Sequence, residues 1–207
     1  VKADGTIENF KYNAKDTHSL SSNFVRACCE DNLGNIWIGT FNGLNRYNKI
    51  TGLFQNHTAN DTQADGLTHS SIWCIVKDNQ GTLWLGTYFG GVNYFNPEYE
   101  IYTRYKTGDT EKEGLSSPIV GRMTEDKDGN LWICTEGGGV NVYDRKNNTY
   151  RWYRHEEGKN SISHNNVKAI YYDRTNEIMW IGTHLGGLNK LDQIGRASCR
   201  ERVSSPV

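Results

Sequence analysis

The chain has 207 residues, and its 23 Lys and Arg against 24 Asp and Glu leave a net charge of −1. That balance offers no basic patch for nucleic acid and no polybasic run for a membrane surface. No apolar stretch is long enough to span a bilayer, and the first residues lack the basic, apolar, small-residue order of a secretion signal.

Residues 5–12 read as a lone outer strand of a preceding unit. A complete unit opens at Ser19 and Leu20, and its runs 24–29, 35–40, 43–48 and 52–57 read as four short strands. Asp31 and Gly34 turn the chain between the first two, because Asp and Gly favour sharp turns. The phrase Asp-x-x-Gly-x-(Ile/Leu)-Trp-(Ile/Leu)-Gly-Thr then returns, dividing the chain into units at about 19–66, 67–114, 115–160 and 161–192. Trp37, Trp84, Trp132 and Trp180 are spaced 47, 48 and 48 residues apart, and Asn45, Asn93, Asn141 and Asn189 are spaced 48. A fixed period in this range means stacked supersecondary units. Four consecutive strands per unit, with no 3.6-residue apolar period, make the expected class all-β: a β-propeller of four-stranded antiparallel blades.

The fourth unit carries one extra residue between Asp173 and Trp180, and Asn176 is expected to take the left-handed conformation that Gly supplies elsewhere. After Asp192 the repeat stops. Residues 193–207 have no counterpart in the other units, and back-translation of their start resembles read-through of a sequencing adapter, so they are expected to be a non-native or disordered tail. The fourth unit would then end after its third strand. Residues 5–12 could in principle complete it and close a four-bladed ring, but an open set of about four blades from a larger ring is the preferred expectation.

Residues common to all units read as structural. The tryptophans share one register in which a large ring can fill the gap between blades. Thr40, Thr87, Thr135 and Thr183 end one strand, where a hydroxyl can bond nearby backbone. Asp31, Asp78, Asp126 and Asp173 begin a turn that an Asx-type hydrogen bond explains. The loop from Asp126 to Asn130 superficially resembles a calcium loop but lacks the bidentate Glu at the right offset, so no metal and no cofactor are expected. The five cysteines occupy unrelated repeat positions and read as small buried hydrophobes, Cys134 replacing a Gly of the phrase.

These phrases resemble the two-component regulator propeller repeat, Asp-x-x-Gly-x-(Leu/Ile)-Trp-(Ile/Leu)-Gly-Thr-x-x-Gly-Gly-(Leu/Val)-Asn. Residues 84–93 and 180–189 are the nearest copies, and the departures are Asn42, Cys134 and the fourth turn. The resemblance implies a seven-bladed parent in the periplasmic part of a hybrid two-component histidine kinase. It also implies a carbohydrate ligand, homodimerisation, and membrane attachment only through parts outside this chain. No kinase chemistry falls on any residue here.

Residues that differ between copies at one end of the blades are the expected ligand contacts, since the scaffold does not dictate them. The loop between second and third strands carries Phe41 and Asn42, Tyr88 and Phe89, Glu136 and Gly137, and His184 and Leu185. Five residues before each repeated Asp stand Arg26, Trp73, Gly121 and Lys168. Aromatic faces stack on the C–H surfaces of sugar rings, while polar groups fix hydroxyl or uronate orientation. The binding residues expected are therefore Arg26, Phe41, Asn42, Trp73, Tyr88, Phe89, Glu136, Lys168 and His184, with an oligosaccharide as ligand and no catalytic residue. Two alternatives stand beside this. One is a protein-interaction scaffold; the other is a lyase or hydrolase using His69, His164, His184 or Glu136 as acid and base.

Overall fold

The computed structural model describes residues 5–59 and 66–191, together with the backbone of Ala197–Ser198. The first sheet is β1 (Val25–Glu30), β2 (Ile36–Thr40), β3 (Gly43–Tyr47) and β4 (Phe54–His57). The second is β5 (Ile72–Lys77), β6 (Leu83–Thr87), β7 (Val92–Asn96) and β8 (Ile101–Tyr105), and the third β9 (Val120–Glu125), β10 (Leu131–Thr135), β11 (Gly139–Asp144) and β12 (Thr149–Tyr153). The fourth is β13 (Val167–Asp173), β14 (Ile178–Thr183), β15 (Gly187–Leu191) and the two-residue β16 (Ala197–Ser198). Each sheet is antiparallel with its strands in chain order, and β1, β5, β9 and β13 contact one another in sequence along the inner side of an open arc. This is the expected all-β propeller architecture.

Two expectations are corrected. Residues 5–12 form no strand; their one bridge, Tyr12 to Leu20, recurs as Thr107 to Leu115 between the second and third units. The segment thus occupies an outer-strand position but has no ladder partner among the described residues. Phe10 still packs on Tyr47 at 5.0 Å, as Tyr105 packs on Tyr143 at 5.0 Å. The fourth sheet, expected to have three strands, gains β16, whose Ala197 and Ser198 pair with Leu191 and Lys190. Asp192 and the rest of the tail lie outside the described residues.

The repeated Asp and Trp turn out to be one device. Asp31 Oδ1 accepts the amides of Leu33 and Asn35 at 2.9 Å, and Oδ2 accepts the Trp37 indole N–H at 2.8 Å. Asp78 holds Trp84 and Asp126 holds Trp132 in the same way, at 3.0 and 2.9 Å. Burial disfavours the Asp31 carboxylate, yet the bonds from Asn35, Trp37 and Leu33 together hold it below the usual range. In the fourth unit Trp180 keeps its ladder place, opposite Tyr171, but the turn is one residue longer and Asp173 accepts from Thr175 and Asn176. The left-handed residue there is Glu177, at φ 54°, and not Asn176. This is the geometry of the hairpin turns at Asn96 to Glu100 and Asp144 to Asn148, where the fourth residue after the Asx is also left-handed. The insertion therefore replaces one working Asx turn by another.

The remaining repeat residues tie each unit together and let neighbouring units approach. Thr40, Thr87, Thr135 and Thr183 donate to the carbonyls of Gly43, Gly91, Gly139 and Gly187. Buried Asn45, Asn93, Asn141 and Asn189 accept the backbone amides of Ser21, Thr68, Ser116 and Ser163, pinning the segment that leads into each first strand. The Gly of each Trp-x-Gly-Thr phrase lets the next sheet approach: a Cβ on Gly39 would sit 2.7 Å from Ile72, and one on Gly86 2.7 Å from Val120. Cys134 takes that place beside Val167 and is fully buried. Burial pushes the Cys74 thiol up to about 12 and the Cys134 thiol up as well, so both behave as apolar filler. Cys28, expected to be buried, is exposed.

Candidate functional site

Each first strand begins with the same irregularity. The ladder skips one residue between Val25 and Ala27, between Ile72 and Cys74, between Val120 and Arg122, and between Val167 and Ala169. The skipped residues are Arg26, Trp73, Gly121 and Lys168. A bulged residue is released from pairing and its side chain is re-aimed. The four variable positions found by spacing are thus four β-bulges at one end of the inner strands.

The neighbouring loops are tied to the same end. The amides of Phe41, Tyr88, Glu136 and His184 donate to the carbonyls of Phe24, Ser71, Ile119 and Asn166, at 2.8 to 3.1 Å. Each loop residue is thereby held against the lead-in to its own bulge.

Two clusters result. In the first, the Trp73 and Tyr88 rings stack at 5.3 Å with 5° between planes, and the Arg26 guanidinium lies over Trp73 at 4.4 Å and over Phe41 at 5.6 Å. Phe89 meets Tyr88 edge-on at 4.4 Å, His69 lies 6.4 Å from Phe89, and Phe24 lies 6.3 Å from Phe41. Phe41 and Phe89 are both 55% exposed. Arg26 and Tyr88 both lie against the Trp73 ring, and its indole N–H is buried without a partner among the described residues. Asn42 is exposed beside Phe41, its amide bonded to Thr40.

In the second cluster, Lys168 Nζ donates to Glu136, His184 faces His164 at 6.2 Å, and Asn166 accepts the Gly137 amide at 2.6 Å. Gly121 adds no side chain between the clusters; the next residue, Arg122, bonds the Trp73 carbonyl at 3.4 Å. The structure therefore gathers the nine expected residues at one end but divides them into an aromatic half and a salt-bridged half. Phe24 was not singled out by sequence reasoning, although its place two residues before the bulge was a usable signal.

His69 and His164 each use Nδ1 to accept a backbone amide, from Ser71 and Asn166. Among the described residues, His69, His164 and His184 bond no carboxylate. A cavity of about 570 Å³ lies between the third and fourth sheets, lined in part by Trp132, Tyr153, Met179 and Leu191. Of its four acidic residues, Asp126 and Asp144 accept turn amides and Glu177 is paired with Lys127. It marks a loosened joint between sheets.

The two-component regulator propeller repeat matches the chain at residues 19–42, 66–89, 114–137 and 161–184, each match running from the pinned lead-in to the loop after the second strand. This is a two-component regulator propeller repeat protein. The extracellular domain of a hybrid two-component system from Bacteroides thetaiotaomicron resembles it with a TM-score of 0.78 at 20% identity, over 88% of this chain and 25% of that one. Virginiamycin B lyase from Staphylococcus aureus gives 0.61 at 13% identity, over 88% of this chain and 56% of that one. PorZ, a surface component of the type-IX secretion system of Porphyromonas gingivalis, gives 0.51 at 14%, over 89% and 34%. At these identities the likeness is one of fold, and the regulator propeller protein spans only about a quarter of the first of these structures. No curated protein sequence matches it.

Proposed function

We propose that this chain is the ligand-sensing propeller of an extracytoplasmic sensor. Its bulge end binds an oligosaccharide, and the signal passes to a histidine kinase in parts of a homodimeric parent outside this chain. The carrying observation is a pair of half-exposed rings in one cluster: Phe41 beside a guanidinium that also lies over Trp73, and Phe89 against Tyr88, which stacks on the same Trp73. Rings beside a fixed polar group suit the alternating C–H faces and oxygens of a sugar. A ligand that prefers one arrangement of the assembled blades shifts its population, and only such differential binding reaches a distant kinase. The periplasm is the compartment proposed, in keeping with the repeat family.

No catalytic step is part of this reading. His69 and His164 are engaged with backbone amides, and Glu136 is paired with Lys168. Calorimetric titration of the full chain with neutral and acidic oligosaccharides tests it. Phe41→Ala and Phe89→Ala are each expected to weaken binding about twofold to tenfold, from ~0.5–1.5 kcal/mol per aromatic contact. Unchanged affinity in both variants removes this end of the blades as the site.

A further inference from the structure

The bulge positions carry two cations, and the fold treats them differently. Lys168 is neutralised by Glu136 from the adjoining unit. Arg26 has no carboxylate partner among the described residues; its one polar contact there is Ser71 Oγ, at 3.5 Å from Nη1. Its guanidinium carbon sits 4.4 Å from the Trp73 ring centre and 5.6 Å from that of Phe41. Two rings therefore lie against the guanidinium, and no carboxylate among the described residues meets its N–H groups. Trp73 is itself stacked on Tyr88, so the Arg26 side chain rests on a ring that is held in place.

We propose that the ligand of this face is an acidic oligosaccharide, and that Arg26 is the group that selects it. The acid group, a uronate carboxylate or a sulfate ester, takes parallel hydrogen bonds from the guanidinium edge while a sugar ring rests on Phe41 or Phe89. This rests on the oligosaccharide reading above and decides its class. Three physical points support it. A guanidinium presents a planar fork matched to two oxygens of one anion, and a charge-assisted pair is roughly twice as strong as a neutral hydrogen bond. Stacking on two rings immobilises the long side chain before ligand arrives, which removes part of the ordering cost of binding. The other half of the face, with its cation already paired, offers no competing anchor.

Wild-type full chain is titrated with galacturonic acid trimer, its methyl ester, sulfated lactose, lactose and triglutamate, and the acid trimer is titrated again with Arg26→Gln. Binding of the acid trimer at least about tenfold tighter than its ester, lost in Arg26→Gln, is expected for a carboxylate. The same preference for sulfated lactose over lactose assigns a sulfate instead, and also supports an acidic ligand. Equal binding of charged and neutral partners, or a preference that survives in Arg26→Gln with an unchanged melting temperature, overturns the role of Arg26 and leaves the oligosaccharide reading intact. Triglutamate binding as tight as the acid sugars overturns the assignment to sugar. No binding of any saccharide overturns both readings. The ester comparison uses unmutated protein, so it stands even where a variant fails to fold.

Discussion

The joint between the first two sheets and the joint between the last two are built from the same repeat, yet they differ in packing. At the first, Trp37 is fully buried between Phe95 of the next sheet, at 4.9 Å, and His57 of its own, at 5.6 Å. At the second, Trp84 lies between Tyr143 and Tyr105 in the same way, with the Arg145 guanidinium over it at 5.3 Å. At the third, Trp132 stacks on Tyr153 at 5.6 Å, but the ring position of Phe95 and Tyr143 is Leu191, and the cavity of about 570 Å³ opens there. The Trp and its anchoring Asp are therefore not sufficient for a tight joint. The ring arriving from the next sheet closes it, because packing attraction is lost wherever neighbouring atoms are missing.

Three experiments break or sharpen this contrast. The largest effect is expected from Trp84→Ala, which removes a ring packed on every side and should cost about 3–5 kcal/mol in chemical denaturation. Trp132→Ala should cost distinctly less, since one side of that ring already faces open space; equal losses would show that the joints are equally tight. Next, Leu191→Phe restores the missing ring and should raise stability by about 0.5–2 kcal/mol, as cavity filling commonly does. A lower denaturation midpoint would mean that the cavity cannot take the ring.

The smallest effect concerns His57, which stands where the other joints have Tyr105 and Tyr153. Burial among the rings lowers its pKa below the ordinary 6.5, and its Nε2 has no partner among the described residues. The folded state therefore binds the proton more weakly than the unfolded chain. The stability tied to neutral His57 is complete above about pH 6.5, the unfolded value. It is lost as pH falls through the lower folded value. Melting curves of His57→Phe should show a shallower decline below pH 6.5 than wild type, and parallel curves would remove His57 as the source.

Much of this was legible in the sequence because the repeat fixes the frame. The Trp, Asp and Thr phrases placed all four sheets, and the variable positions led to the end of the blades where Arg26, Trp73 and Lys168 gather. Other features were not legible because they depend on pairs distant in sequence. Nothing local to Trp73 says that Arg26 and Tyr88 both pack on its ring. Phe10 looked like part of an outer strand of a preceding unit, but a strand also needs a neighbour to bond. Glu177 took the left-handed conformation expected of Asn176 because the inserted residue moved the turn into the register of the outer hairpins.

The skipped residue at the head of each inner strand also bears on how such proteins change over time. Arg26, Trp73, Gly121 and Lys168 differ in charge, size and shape, yet the strands they begin keep one register. A side chain excused from the ladder is under little obligation to the fold. On the binding reading proposed above, substitutions there alter what is recognised while leaving the architecture as it was, so a lineage carrying this repeat would explore new ligands one bulge at a time.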